Sequence, residues 1–396
     1  MSNSMSLKVK GLSSRTLIYF SPLEWSGLNQ RPHHLPRVMA HSFKRVIFVQ
    51  PAGLRPVSFH DWRRVLAWIR FRKSEGLKHP DNLHVCTPAF IPLTGRTWAD
   101  TFNGISTLKS LRSLLNNSVF KESIVWTSTP APLLRYLLPR LSKQYVIYDW
   151  IDDYTLFKDL PGAVMDTQQW LLQKADFVFA SSMHLYEKAC VLRPSETVGM
   201  LSNGVDLNHW CPGDKKNEVP KAIANIQHPV IGYFGTISHW LDTELIKSMA
   251  QRRPLWHFLF IGPAYKSRLD SILGLPNIHW IGEQPYESLP CLADCFDAAW
   301  LPFRLTPQTK AINPVKIYEY LALGKRVVAP SLPDLKRLGP CVMLADGLSE
   351  TESALVSAIR SGSGEEDKAE CRAVAAEFSW DRLWNGALKD LSAHIR

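Results

Sequence analysis

Two α/β domains, each built on a parallel sheet, are what this chain predicts, and three observations predict them. Short apolar runs alternate with helical segments along the whole sequence, a pattern that calls for parallel strands joined by crossovers. At 396 residues the chain exceeds what one core usually holds. Its composition, 45% apolar and 21% charged, is globular rather than disordered. The expected division is a first domain over 1–207, a second over 208–378 and a closing helix over 379–396.

The first strand is Thr16–Phe20, which runs into Ser21-Pro-Leu-Glu-Trp-Ser-Gly27 and then a helix from about Pro32 to His41. Val46–Val49 and Leu83–Cys86 follow as strands, then a helix near Ser106–Leu115 and a strand over Ser123–Trp126. Leu133–Leu141 is helical, Val146–Asp149 is a strand, Gln168–Lys174 sits in a helix, and Phe177–Ala180 is the last clear strand of this half. The turn Asn203-Gly-Val-Asp206 and a polar stretch from Cys211 to Asn225 mark the linker. Val230–Phe234 is then a buried strand, Gly235–Asp242 a glycine-led loop and Thr243–Gln251 a helix that Asp242 can cap. Further strands are Trp256–Ile261, Ile278–Ile281, Ala298–Leu301 and Arg326–Ala329. Most of them end in Gly or Pro, at the carboxyl edge where open α/β sheets bind ligands. Ser379 caps the last helix.

No run of eighteen apolar residues exists and the amino terminus lacks an apolar signal core, so the expected location is cytoplasmic. The seven cysteines are scattered without a Cys-x-x-Cys pair or a histidine pair at ligand spacing, so reduced core thiols are expected and no metal site. Residues 1–207 carry 25 Lys+Arg against 15 Asp+Glu, a net of +10, whereas residues 208–396 balance at 21 against 21. The densest basic piece, Asp61–Lys73, places Trp62, Val65, Leu66 and Ile69 on a helical stripe beside Arg63 and Arg70. Such a helix suits an anionic membrane surface, or equally a packed helix with a solvated basic edge. No nucleic-acid module is present, so nucleic acid is not expected as a partner.

The segment Asn313-Pro-Val-Lys-Ile-Tyr-Glu-Tyr-Leu-Ala-Leu-Gly324 carries the most chemical information. Asn313 can cap the helix, Pro314 fits its first position and Gly324 stops it. Lys316 and Glu319 then lie one turn apart on one face. Helix N–H groups and Lys316 suit a diphosphate, and a carboxylate further along can accept sugar hydroxyls. An ordinary surface ion pair has the same spacing. Gly235 and Thr236, at the start of the glycine-led loop, can bring N–H donors to a diphosphate, with His239 and Lys310 as lesser cations.

Two loops of the first half gather polar groups. Trp25-Ser-Gly-Leu-Asn-Gln-Arg-Pro-His-His34 contributes Trp25, Gly27, Arg31 and His33; Arg31 can hold an anionic sugar or lipid phosphate, or simply start the helix. Asp149-Trp-Ile-Asp-Asp-Tyr154 contributes three carboxylates, either to hydrogen-bond a sugar acceptor or to hold a divalent cation, with helix capping as the alternative. Asp153 is the expected proton acceptor.

The Asn313–Gly324 segment resembles the donor-binding helix of GT-B glycosyltransferases, in particular the retaining family-four or group 1 enzymes that build bacterial polysaccharides. Asn203–Asp206 resembles the turn with which that family leaves its first domain, and the Asp149 loop resembles a turn of related polysaccharide transferases. The resemblance spans nearly the whole chain and implies two Rossmann-like domains facing each other across a cleft, with the last helix crossing back to the first. It implies transfer of a sugar, with retention, from a nucleoside diphosphate to a saccharide or lipid-linked acceptor, with no cofactor and no metal. Glu319 occupies the position of the family's second glutamate, which holds the ribose. Eight residues earlier, where the family's first glutamate contacts the transferred sugar, this chain has Ala311, and Gln308, Thr309 and Asn313 are the nearby polar replacements. A nucleotide-sugar epimerase and a non-catalytic scaffold at the membrane are the rival expectations.

Overall fold

The computed structural model describes residues 12–395, except 27–28, 52, 55–77, 116–119, 121, 142–144, 212–222, 265–269, 271 and 362–363. Gly27, the basic segment Asp61–Lys73 and most of the polar stretch after Cys211 lie outside the described residues. The chain divides into two compact units, Met1–Ser202 with Leu383–Arg396, and Asn203–Arg382.

The first unit is a seven-stranded sheet in the order β3-β2-β1-β4-β5-β6-β7. Its elements in chain order are β1 (Thr16–Phe20), α1 (Arg31–Met39), β2 (Arg45–Val49), β3 (Leu83–Cys86), α2 (Thr97–Leu114), β4 (Ile124–Thr127), α3 (Leu133–Leu137), β5 (Tyr145–Trp150), α4 (Gly162–Lys174), β6 (Phe177–Ala180), α5 (Met183–Leu192) and β7 (Val198–Met200). Every pairing is parallel, from Thr16 against Arg45 to Ala180 against Met200. Central strands of such a sheet are covered on both faces, which is why β1 and β4 are apolar runs rather than alternations. β7 escapes sequence reading because it is three residues long and includes Gly199, whose missing side chain lets the Phe177 and Phe179 rings close over it. Helix α2 starts nine residues earlier than its sequence periodicity marks, at Thr97. Its first half directs small residues inward and large apolar ones outward, so no core-facing stripe announces it.

The second unit is a six-stranded parallel sheet in the order β10-β9-β8-β11-β12-β13. Its elements are α6 (Leu207–Trp210), β8 (Val230–Phe234), α7 (Thr243–Arg252), β9 (His257–Ile261), β10 (Ile278–Trp280), α8 (Leu289–Asp294), β11 (Ala298–Trp300), α9 (Pro307–Ala311), α10 (Val315–Ala322), β12 (Val327–Ala329), β13 (Val342–Leu344), α11 (Gly347–Ser361) and α12 (Glu365–Glu377). In each sheet the order reverses at one point, between β1 and β4 and between β8 and β11. Ligands of doubly wound sheets sit beyond the carboxyl ends of the strands at that reversal.

The final helix, α13 (Trp380–Ser392), contributes its residues from Leu383 onward to the first unit. Trp384 is buried there beside Phe43 and edge-on to Trp126, and its indole N–H donates to the Ser42 hydroxyl at 2.9 Å. Leu388 and Leu391 complete the contact. Trp384→Ala is therefore expected to cost about 3–5 kcal/mol of unfolding free energy in urea. A loss under about 1 kcal/mol, the scale of an ordinary surface substitution, would remove this helix from the core.

Candidate functional site

The second unit brings its site residues together around the start of α10. Tyr320, on the inward side of this helix, accepts a hydrogen bond from the Phe234 N–H at 2.9 Å and tilts against its ring. Tyr318, also inward, accepts from Asn313 Nδ2 at 2.9 Å and from Arg337 at 3.3 Å. With both tyrosines buried, the helical period turns Lys316 and Glu319 to the partly exposed side. At its end Gly324, with φ +78°, stops the helix and approaches Lys368 too closely for a side chain. Arg326 then pairs with Asp367 and Glu370 on α12.

The start of α10 differs from expectation. Pro314 sits at the cap position itself, and no side chain caps the first turn, which begins at Val315. Asn313 is used otherwise: its Oδ1 accepts from the Asn203 N–H at 3.2 Å and its carbonyl from Asn203 Nδ2 at 2.6 Å. The Asn203–Asp206 turn is thus hydrogen-bonded to the residue that leads into α10. Asp206 caps α6, and Val205 N–H donates to the Phe378 carbonyl at 2.9 Å.

Lys316 lies in the uncapped first turn, where the helix dipole disfavours a cation. Its stem rests on Gly235, and its ammonium stands 5.6 Å from the centre of the Tyr233 ring. Burial lowers its pKa, partly offset by Glu319. Burial likewise pushes the Glu319 carboxyl up, to about 7, partly offset by Lys316. Among the described residues neither group has an ion-pair partner within 4.0 Å, so the expected surface salt bridge is not made and two desolvated charges face the same space.

Glycines floor that space. Gly235 has φ +123°, and a Cβ there would lie 2.2 Å from Lys316 Cε. Gly262 has φ +136°, and a Cβ there would lie 2.3 Å from the Gly235 carbonyl oxygen. Gly235 N–H donates to the Ile261 carbonyl and Gly262 N–H to the Gly282 carbonyl, both at 2.8 Å, so the glycines line the carboxyl ends of β8, β9 and β10 in a row. Strand-end glycines were visible in the sequence, but their stacking was not. Thr236 is partly exposed beside Gly235 and its carbonyl accepts from Tyr233 at 3.0 Å. His239 is exposed, 3.3 Å from Gln308 Oε1. Thr309 is consumed by the start of α9, where it bonds Thr306 and the Arg304 carbonyl, and Ala311 is buried. Lys310 is exposed, and Asp242 caps α7 as expected.

In the first unit, most of the expected acceptor-side residues that are described make internal contacts. Arg31 is buried and forks onto Asp149, Nη2 to Oδ1 at 2.6 Å and Nε to Oδ2 at 3.2 Å, with Nη1 donating to the Ser202 carbonyl at 2.8 Å. Asp149 also accepts from Ser128, which bonds Tyr19. Arg31 therefore neutralises a core carboxylate instead of facing an anionic ligand. His33 is buried, accepts from the Gln30 N–H and reaches the Glu24 carbonyl at 2.7 Å, and burial lowers its pKa. Trp25 is a core residue, edge-on to Phe48 at 4.8 Å.

Asp153 is likewise held internally. It caps a short turn, accepts from Thr155, Gln168 and Lys188, and makes a 2.6 Å ion pair with Lys188. Burial raises its pKa, but those bonds outweigh burial and leave it below the usual carboxylate value, which makes it a weaker base. The neighbouring Asp152 is the group left over. It is partly exposed, has no hydrogen-bond or ion-pair partner among the described residues, and is pushed up to about 6 by burial, against the pull of Arg31 and with the help of Asp153. Two carboxylates of this loop bond separate partners, Asp149 to Arg31 and Ser128, and Asp153 to Thr155, Gln168 and Lys188, and among the described residues no group of three metal-ligating side chains forms a cation site.

No family model matches the sequence. Over 229 residues the chain is 28% identical to TuaH of Bacillus subtilis (strain 168), a protein provisionally assigned as a teichuronic acid biosynthesis glycosyltransferase; the match covers 54% of this chain and 57% of TuaH. The chain thus spans little more than half the length of that relative. In structure it is similar to sucrose-phosphate synthase from Thermosynechococcus elongatus, with a TM-score of 0.69, 13% identity and coverage of 96% and 99% of the two chains. It is likewise similar to Anabaena HepE solved in complex with UDP-glucose, with a TM-score of 0.62, 14% identity and coverage of 96% and 99%. At these identities the structural matches establish the fold.

The titration of Glu319 has a consequence for stability. Its folded pKa, about 7, exceeds the ordinary 4.5, so its contribution to stability is fully present below about pH 4.5 and is lost as pH rises towards 7. Glu319→Gln cannot ionise, so its stability relative to wild type is expected to grow between those pH values and then level off, as read by urea unfolding at pH 5 and pH 8. A variant less stable than wild type at pH 8 would mean that the ionised carboxylate is stabilised in the fold.

Proposed function

From the premise of a GT-B fold, we propose that this protein is a glycosyltransferase that takes a sugar from a nucleoside diphosphate. A fold of this breadth does not name a reaction, so the site has to. The observation that carries the reading is the pair Lys316 and Glu319, desolvated, without an ion-pair partner among the described residues and set beside a glycine row at the carboxyl edge of the second sheet. A desolvated cation in an uncapped first turn, offset only by the Tyr233 ring and by Glu319, is costly until an anion arrives. A diphosphate supplies that anion, and a ribose supplies the paired hydroxyls that an ionised Glu319 can accept. HepE was solved with UDP-glucose, and TuaH is assigned to polysaccharide assembly; both agree with this reading.

In the reaction, negative charge develops on the leaving diphosphate as the glycosidic bond to the donor phosphate breaks. Lys316 and the free N–H groups of α10 stabilise that charge where it forms. Glycines at 235 and 262 admit the phosphates close to the backbone. Retention at the anomeric carbon, a hexosyl donor, and a saccharide or lipid-linked acceptor for bacterial capsule, exopolysaccharide or lipopolysaccharide complete the proposal, and they follow from the resemblance of the Asn313–Gly324 segment. Asp152, partly exposed and poised near pH 6, replaces Asp153 as the group offered to an acceptor hydroxyl. The protein works at the cytoplasmic side and needs no cofactor or metal.

Binding of UDP, GDP and TDP, followed by thermal shift, tests the donor site. One nucleotide is expected to stabilise the wild type by about 2.7 kcal/mol at a hundredfold excess over its dissociation constant, and to do so far less in Glu319→Ala. Stabilisation by none of the three would favour the scaffold alternative. Free nucleotide formed from donor sugar without acceptor, alongside an altered sugar, would favour the epimerase. Gly235→Ala should displace Lys316 and lower turnover by roughly 10²–10³, the scale of losing one preorganised donor in a transition state; unchanged turnover would remove Lys316 from the mechanism.

A further inference from the structure

Helix α2 is mounted the wrong way round for an ordinary surface helix. Towards the interior it places Ala99, Asn103, Gly104, Thr107 and Leu111, whereas Trp98, Phe102 and Ile105 stand outside, 60%, 45% and 48% exposed. Its orientation is locked. Asn103 grips Ile91 through both the N–H, at 2.7 Å, and the carbonyl, at 2.9 Å, and a Cβ on Gly104 would lie 2.6 Å from the Tyr136 ring of α3. The helix cannot rotate to bury its large side chains without breaking both contacts. Their exposure is therefore built in, and a contiguous outward apolar stripe on a locked helix marks an interaction surface.

Charge identifies the partner. With spacings of four, three, four and three residues, Trp98, Phe102, Ile105, Lys109 and Arg112 follow one helical line, roughly 20 Å long. Lys109 and Arg112 are exposed, exposed Arg96 precedes the helix, and the one acidic residue of α2, Asp100, lies off this line and accepts from the Gly95 N–H. A stripe with an aromatic and aliphatic half, a cationic half and no carboxylate is complementary to a layer with apolar chains below and anionic headgroups above. We propose that the outward face of α2 docks this protein on an anionic lipid bilayer, with Trp98, Phe102 and Ile105 entering the interface and Lys109 and Arg112 meeting the headgroups. Among the described residues no helix is long and apolar enough to cross a membrane. This inference stands on a different surface from the donor site and does not depend on it.

Co-sedimentation of the full chain with vesicles, without nucleotide and at about 0.1 M salt, tests it. Wild type is expected to bind vesicles of phosphatidylcholine with one-third phosphatidylglycerol and to bind pure phosphatidylcholine at least tenfold more weakly. The variant carrying Trp98→Ala, Phe102→Ala and Ile105→Ala, and separately the variant carrying Lys109→Glu and Arg112→Glu, should each lose at least tenfold while melting at the wild-type temperature, since these side chains face outward. Binding unchanged in both variants would overturn the proposal and locate any membrane contact elsewhere. A wild type that ignores vesicles but forms dimers abolished by the triple substitution would overturn it in favour of a second copy of the chain.

Discussion

The arrangement of the second unit depends on how α10 is held against its sheet. Two tyrosines do this from the inward side, Tyr320 through the Phe234 N–H and Tyr318 through Asn313 and Arg337. Because the helix repeats every 3.6 residues, fixing positions 318 and 320 inward determines where positions 316 and 319 point. Both charged groups reach a partly exposed rim without a partner, and burial shifts each towards its neutral form. A fold optimised for stability alone would pair them or replace them. Their position beside a glycine floor is what the proposed donor site rests on.

The first unit solves the opposite problem. Its strand-end loops carry many polar groups, and nearly all of them are spent internally. Arg31 and Asp149 compensate each other in the core, and Gln168 collects the Trp150 indole, the Tyr154 N–H and Asp153 in one network. Buried polar groups that are fully partnered stiffen the loops that carry them. What the network leaves out in this loop is Asp152. The two units share a logic: among the described residues of these loops, internal hydrogen bonds hold many of the polar side chains, and the few left without such bonds are the ones the proposal uses.

Helix α2 shows the same logic in apolar form. Interior contacts through Asn103 and Gly104 fix its rotation and leave Trp98, Phe102 and Ile105 outside. Ordinary periodicity cannot detect such a helix, because its large apolar residues sit on the side opposite its core contacts.

Much of this protein was determined by sequence alone. Apolar runs between helical segments announced two parallel-sheet units, since strands covered on both faces must be continuously apolar, and Asn313–Gly324 announced a helix carrying Lys316 and Glu319 on one side. The strands β7 and β13 were not read from the sequence, β7 because Gly199 interrupts its apolar run, and the beginning of α2 lacked a core-facing stripe. Only the tertiary structure decided which polar residues are free. Arg31, His33 and Asp153 looked like ligand contacts because side-chain type and spacing record a residue's capacity to bond, not its partner. The partners, Asp149, Glu24 and Lys188, lie 118, nine and 35 residues away and meet them only when the sheet forms. Asp152 differs from Asp153 by one position, and the turn of the backbone alone leaves one carboxylate unpaired and binds the other.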